Sequence, residues 1–498
     1  MSGSTMAVQA APSHEHRPDA SPVVQPGRER PCVFLAVPSG HNVANLLRSS
    51  FLSTLVDGGL EVVVLTPFAG DRGFLEEFTR EHVSFNTLRP WTPTVTERIL
   101  ESTLCERFLV QSGLRAVRLQ RDRARMLEPW RGRAVLATAK SVIARAPIPR
   151  RALYSLAERL SHAPELDALF ATKRPAMVIT ASAGFLTAEV PLIYAARRAG
   201  VPQMGVDLGW DNLVSKYHTI IPVDRLAVWN EDMRQQAVCY HGFSPDAVSV
   251  VGAVQFDRYF EDMPRRSRDT FLVDSGLDPA RALVTIATAP HSMYPSTAWL
   301  IDSLSSAIAS DAFGRPAQLL VRVHPRDDLS AYRHLDGRPH VRIEKPVAHL
   351  RGTPGTPEFD QFSATTADRQ RLAATLACSD VLVNFASTTT IEACVFDTPV
   401  VNVGFDQQPG LPDAVSIRRY FQFEHYQPVL ESGAAVVAGS PDELIAAVRR
   451  YLADRTADST ARRTLVERLC TFRDARSGQR LASVALEAVR AASTRRSA

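Results

Sequence analysis

The stretch Ser379–Asp406, SDVLVNFASTTTIEACVFDTPVVNVGFD, constrains this chain more than any other. Val381–Phe385 is a short β-branched apolar run, the kind buried on both faces of a sheet. Four hydroxyls follow, Ser387 to Thr390, and Ile391–Phe396 then reads as a short helix. Thr398-Pro399 stops that helix, and Val400–Phe405 resumes a buried strand. Strand, small-residue turn, helix and strand form a βαβ unit, which belongs to a parallel sheet. In open α/β sheets ligands sit beyond the carboxyl ends of such strands, against helix N-termini whose free N–H groups suit a phosphate. The stretch therefore nominates a site for a nucleotide or a phosphorylated ligand.

A second unit of the same kind starts the ordered chain. Cys32–Val37 is an apolar strand, Pro38-Ser-Gly-His41 a turn, Asn42–Val56 a helix, and Glu61–Thr66 the next strand. The α/β rhythm returns from Pro175 to Gly252, and again from Leu283 onward. The expected fold class is thus α/β, with two tandem Rossmann-like domains facing a cleft. The boundaries expected are a disordered tail at 1–30, a first domain at 31–262, a linker at 263–280, a second domain at 281–480, and a helix end and tail at 481–498. A length of 498 residues suits two such domains, each with its own core.

The formal net charge of +4 does not argue for a nucleic-acid protein. The six cysteines are scattered singly without a CxxC or His/Cys cluster, so neither a disulfide framework nor a zinc site is expected, and they read as reduced thiols of a cytoplasmic protein. No apolar run approaches the ~18 residues of a membrane span. Residues 94–160 read as long helices dense in arginine, and those between 115 and 151 face few acids. That region is either a solvated helical face or a peripheral contact with an anionic membrane at its inner face.

The pattern at 384–407 resembles the donor-binding motif of GT-B glycosyltransferases, UDP-glycosyltransferases in particular. Thr388 and Thr389 precede Glu392, Pro399 stands seven residues on, and Asp406-Gln407 follows the next strand. The resemblance implies that Thr388 and Thr389 meet a diphosphate, that Glu392 holds ribose hydroxyls, and that Asp406 and Gln407 hold the sugar. Asn384 stands where that family carries a histidine, and the family's tryptophan is missing. Pro38-Ser-Gly-His41 resembles the Gly-His turn whose histidine is the base of inverting members. Val250–Asp257 is similar to the linker entry of lipid A disaccharide synthase and UDP-N-acetylglucosamine 2-epimerase, and Arg322-Val-His-Pro325 resembles the His-Pro element of CDP-glycerol glycerophosphotransferases.

The expectation is a metal-independent glycosyltransferase that moves a sugar from a nucleotide-sugar to a hydroxyl acceptor in glycan, glycoconjugate or natural-product biosynthesis. No Asp-x-Asp occurs to hold a cation, and no cofactor is expected beyond the nucleotide-sugar co-substrate. His41 would be the catalytic base. Arg322, His324, Asn384, Ser387, Thr388, Thr389, Glu392, Asp406, Gln407, His291 and Ser292 would bind the donor, and Asp211, Asn212 and Lys216 the acceptor. Plainer readings stand beside these: Glu392 also fits a capping box with Thr389, and His41 and His324 also fit turn histidines satisfied by neighbours. A CDP-polyol phosphotransferase or UDP-sugar epimerase on the same fold, and a non-catalytic nucleotide-sugar binding protein, are the alternatives. Oligomeric state is left open.

Overall fold

A computed structural model describes residues 30–127, 145–146, 148–216, 221–261, 267–291, 293–294, 297–335, 337–346 and 349–497. Ser292, most of the tail at 1–30, the first residues of the expected linker, and Arg131, Arg133 and Lys140 of the basic region lie outside the described residues.

Two all-parallel sheets organise the chain. The first holds β1 (Cys32–Ala36), β2 (Glu61–Thr66), β3 (Val83–Thr87), β4 (Met177–Thr180), β5 (Gln203–Val206), β6 (Arg225–Val228) and β7 (Val248–Val250) in the order β3-β2-β1-β4-β5-β6-β7. The second holds β8 (Ala282–Ala287), β9 (Ala317–Arg322), β10 (Val341–Glu344), β11 (Val381–Asn384), β12 (Val400–Val403) and β13 (Ala435–Ala438) in the order β10-β9-β8-β11-β12-β13. The apolar runs have a direct cause. In β1, Val33 and Leu35 pack into one apolar cluster while Phe34 and Ala36 pack into another, so both faces are covered by helices.

Helix boundaries depart from the sequence reading where capping decides them. The helix after β11 spans Thr388–Val395, with Ser387 as its N-cap accepting from the Thr389 amide. The expected Thr389–Glu392 capping box is therefore replaced by a cap two residues earlier. Thr365 caps the helix Thr366–Cys378, with Asp368 completing the box. The single helix expected over Asn42–Val56 is a turn at Gly40–Asn42, a π-helical segment at Val43–Leu47 and a helix at Ser50–Asp57.

The two domains share a core. Trp210, Leu213, Phe256 and Tyr259 from the first pack with Ile391, Ala393, Tyr426 and Leu465 from the second. The chain also crosses back. Ser477–Ser497 is one helix whose Leu481, Ala485, Leu486 and Val489 join the core of the first sheet. This differs from the expected boundary, which set 481–498 apart as an end and tail. The helix approaches Ser50–Asp57 closely: a Cβ on Gly58 would lie 2.6 Å from Leu486, and one on Gly478 would lie 2.6 Å from Ser50 Oγ. Asp257 ties both crossings together, accepting from the Ser477 amide at 3.1 Å and the Gly478 amide at 2.8 Å. Among the described residues no helix is long and apolar enough to cross a membrane.

Candidate functional site

The carboxyl ends of β8, β9 and β11 face the end of β5 across the domain boundary, and there a cavity of about 410 Å³ opens. Thr288, Ala289 and Pro290 follow β8, His324 and Arg326 follow β9, and Phe385 to Thr388 follow β11. The first domain supplies Trp210, Asp211 and Lys216 from the β5 loop, and Gln120 and Arg123 from the helix Arg115–Leu127. Arg419, Tyr420, Phe423 and His425 close the remaining side. Among the described residues of the lining, Arg123, Lys216, Arg326 and Arg419 stand against one carboxylate, Asp211, which favours an anion.

The helix Thr388–Val395 begins at this wall. In its first turn the Thr389 amide donates to Ser387 Oγ at 3.2 Å and the Thr390 amide to Ser387 O at 3.0 Å, and Thr388 Oγ1 accepts a hydrogen bond from Trp210 Nε1 at 3.0 Å. His324 Nδ1 accepts from the Arg326 amide at 3.1 Å, so its proton sits on Nε2 as a donor. Burial, with Arg326 and Lys345 near, lowers the His324 pKa to about 4, so it acts as a neutral donor at pH 7. Arg419 donates to Met293 O, the Tyr420 hydroxyl, Val415 O and Ser416 O, which fixes its guanidinium.

Across the cavity, Asp211 pairs with Lys216 at 2.7 Å and accepts from Ser215 Oγ at 3.1 Å. Burial alone would raise its carboxyl, but Lys216 and His425 hold it well below the usual carboxylate range. His425 meets Trp210 edge-on with ring centres 4.8 Å apart. Burial lowers its pKa to about 4 against the pull of Asp211, and its Nδ1 has no hydrogen-bond partner among the described residues. Asp207, at the start of the same loop, accepts from Asn212 Nδ2 at 2.7 Å and the Gly209 amide at 3.0 Å, and burial raises its carboxyl to about 7.

His41 is solvent-exposed but does not line the cavity. Asn45 fixes its chemistry. Arg369 Nη2 donates to Asn45 Oδ1 at 2.6 Å, which turns Asn45 Nδ2 toward His41 Nε2 at 3.0 Å. Nε2 must therefore accept, and the ring proton resides on Nδ1. The loop His349–Thr365 of the second domain covers this turn: Arg48 donates to Ser363 Oγ at 2.7 Å and Ala364 O at 2.9 Å, and Thr353 N donates to Pro67 O at 2.9 Å. Gly40 is needed there, because any Cβ would run into the Phe362 carbonyl.

Of the residues expected to bind the donor, His324, Ser387 and Thr388 line the cavity, and of those for the acceptor, Asp211 and Lys216 do. Thr389 sits in the first helical turn behind them. Glu392 points instead to the domain boundary, where its Oε1 accepts from the Tyr259 hydroxyl at 2.9 Å, and burial raises its carboxyl against Arg322 and Arg369. Arg322 is paired with Glu344 at 2.7 Å. Asn384 is fully buried, 3.2 Å from Thr390 Oγ1. Asp406 is taken up by the start of the segment Ile417–Gln422, accepting from Ser416 Oγ at 2.5 Å and the Ile417 amide at 2.9 Å, while Gln407 and His291 are exposed outside the cavity. Asn212 supports Asp207 rather than lining the cavity. Trp210, Arg326, Arg419 and His425 had not been anticipated. Arg326, two residues beyond His324, offered the one local signal.

No family model matches the chain, and no curated protein matches it. Solved structures do. The UDP-GlcNAc 2-epimerase of Neisseria meningitidis bound to UDP-GlcNAc aligns with 92% of this chain and 100% of its own, at TM-score 0.52 and 10% identity. A Listeria monocytogenes protein assigned as a UDP-N-acetylglucosamine 2-epimerase aligns over 91% and 95% at TM-score 0.53 and 10% identity. A glycosyltransferase of Rickettsia africae aligns over 92% and 99% at 8% identity, but its TM-score of 0.46 is too loose to bear on mechanism. These likenesses establish the fold, the two-domain GT-B arrangement.

Proposed function

We propose that this GT-B chain acts on a nucleotide-sugar and transfers the sugar to a hydroxyl acceptor. The observation that carries the reading is the cationic cavity between the domains, with the N-terminus of the helix Thr388–Val395 in its wall. A diphosphate placed there meets that helix end, His324 Nε2–H, Arg326 and Arg419. These groups stabilise the charge that develops on the leaving group without a bound cation. Burial between the domains limits hydrolysis of the donor.

His41 takes the acceptor proton in this reading. Its Nε2 lone pair faces Asn45 Nδ2, so Asn45 must yield as the acceptor hydroxyl approaches. A second reading, epimerisation without any acceptor, draws support from Asp207. That carboxyl, raised to about 7, begins the loop carrying Trp210 and Asp211, and at that value it can exchange a proton near neutrality.

A thermal-shift panel of UDP-, GDP-, CDP-, ADP- and dTDP-sugars tests the shared premise. A donor at 100 times its dissociation constant stabilises by about 2.7 kcal/mol. No shift with any of them sinks both readings. The binding donor, incubated alone and followed by NMR, then separates them: an epimer of the starting sugar favours the second, and turnover only with added acceptor favours the first.

A further inference from the structure

Positive charge and exposed apolar side chains concentrate in one stretch of the chain, most of it away from the cavity. Residues 95–160 hold 14 basic and 6 acidic side chains, a net +8, which leaves −4 for the rest of a chain whose total is +4. Coding bias toward arginine would not segregate charge this way. Seven of the ten large apolar side chains exposed among the described residues also fall between 95 and 156.

The helix Val95–Ser112 arranges three of them. It starts at a capping box of Thr94 and Glu97 and ends at Gly113, whose φ of 67° terminates it. Val95, Ile99 and Val110, exposed by 75%, 43% and 38%, fall within about 60° of arc at 3.6 residues per turn. The opposite face, with Leu100, Leu104 and Phe108, is buried. The neighbouring helix Arg150–Leu160 packs against it through Leu153, Tyr154 and Ala157 and exposes Arg151, Leu156 and Arg159.

We propose that the helices Val95–Ser112 and Arg150–Leu160 dock on an anionic lipid surface, the apolar stripe entering the headgroup boundary and the exposed arginines pairing with lipid phosphates. A lone apolar stripe would fit a second protein equally well, but the segregated positive charge favours an anionic bilayer. Because the same region carries Gln120 and Arg123 to the cavity, docking brings the site to the lipid surface. The proposal is independent of the reaction assigned to the cavity.

Sedimentation of the full-length chain with phosphatidylcholine vesicles, with and without about one third phosphatidylglycerol, tests it. The anionic vesicles are expected to bind at least ~10-fold more protein, and salt to weaken the binding. V95S/I99S and the separate variant R151E/R159E each alter only exposed side chains, so melting should be unchanged while binding falls by about 5-fold or more. Equal binding to both vesicle types overturns the proposal. So does binding that neither variant weakens. If V95S/I99S instead dissolves a self-associated species and leaves vesicle binding untouched, the stripe is a contact between copies of the chain and the proposal fails.

Discussion

Arg369 of the second domain donates to Oδ1 of Asn45 in the first, at 2.6 Å, and through that bond sets which nitrogen of His41 carries its proton. The tautomer of a first-domain histidine is thus governed from the opposite side of the cleft. In the ligand-free chain, ¹⁵N spectra should show His41 protonated at Nδ1, and Arg369→Ala should yield mixed tautomers as Asn45 becomes free to rotate. A pure Nε2–H form in the unmodified chain would refute the relationship. Under the transfer reading, His41→Ala lowers turnover by about 10²–10⁴-fold while donor affinity is nearly kept.

Tyr259 and Glu392 form another cross-domain bond, at 2.9 Å and with the tyrosine buried. Tyr259→Phe strands one carboxylate oxygen, at an expected cost of about 1–3 kcal/mol in urea unfolding. If Glu392 also serves a ribose, the same variant should bind nucleotide more tightly, since the carboxylate is released. Calorimetry separates the two effects.

Gly40 allows the loop His349–Thr365 to lie on the Gly-His turn. Gly40→Ala should push that loop away, costing about 1–3 kcal/mol as overpacking does. Faster hydrogen exchange at residues 350–365, with the second sheet unaffected, is the expected readout.

Donor affinity should track the cations of the cavity. His324→Ala removes one neutral donor and should weaken nucleotide-sugar binding by about 10-fold, and Arg419→Ala by more, because its guanidinium also organises Tyr420 and the Met293 carbonyl. Isothermal titration with the donor found in the thermal panel measures both. Unchanged affinity in the two variants would move the diphosphate out of this cavity.

His241 is buried, is bonded to Leu213 O at 2.7 Å, and is lowered to about 4 from an ordinary value near 6.5. Below 6.5 the unfolded chain takes up a proton that the folded chain refuses until about 4. The stability linked to this ring is therefore full above pH 6.5 and is lost as pH falls toward 4, by at most about 3 kcal/mol. In melts between pH 7 and 4.5, the gap between the unmodified chain and His241→Gln should narrow as pH falls.

The parts of the site that were legible in sequence lie on strand ends. Ser387, Thr388 and His324 follow buried, largely apolar strands, and a buried parallel strand leaves its next residues at the ligand edge. What was not legible divides in two. Asn384 and Asp406 occupy equally suggestive positions, yet Thr390 satisfies the one, and Ser416 and Ile417 the other. A polar side chain near a site has the same letter whether the core or a ligand uses it. Trp210, Tyr259, Arg369 and His425 escaped for another reason. Their partners lie across the domain boundary, and pairing over such distances leaves no local periodicity. The far end of the chain misled likewise, since nothing local in Leu481, Ala485 and Val489 says which sheet they cover.

That last helix has a consequence for how the molecule is made. The seven strands of the first sheet have all left the ribosome soon after Val250, yet Leu481 to Val489, which complete its core, are synthesised only after the whole second domain. The nascent first domain must therefore wait with an apolar flank uncovered. Its partner, synthesised later, is free to fold before it. A message truncated just before the final helix would release a product whose second half is sound and whose first half has its core open to water.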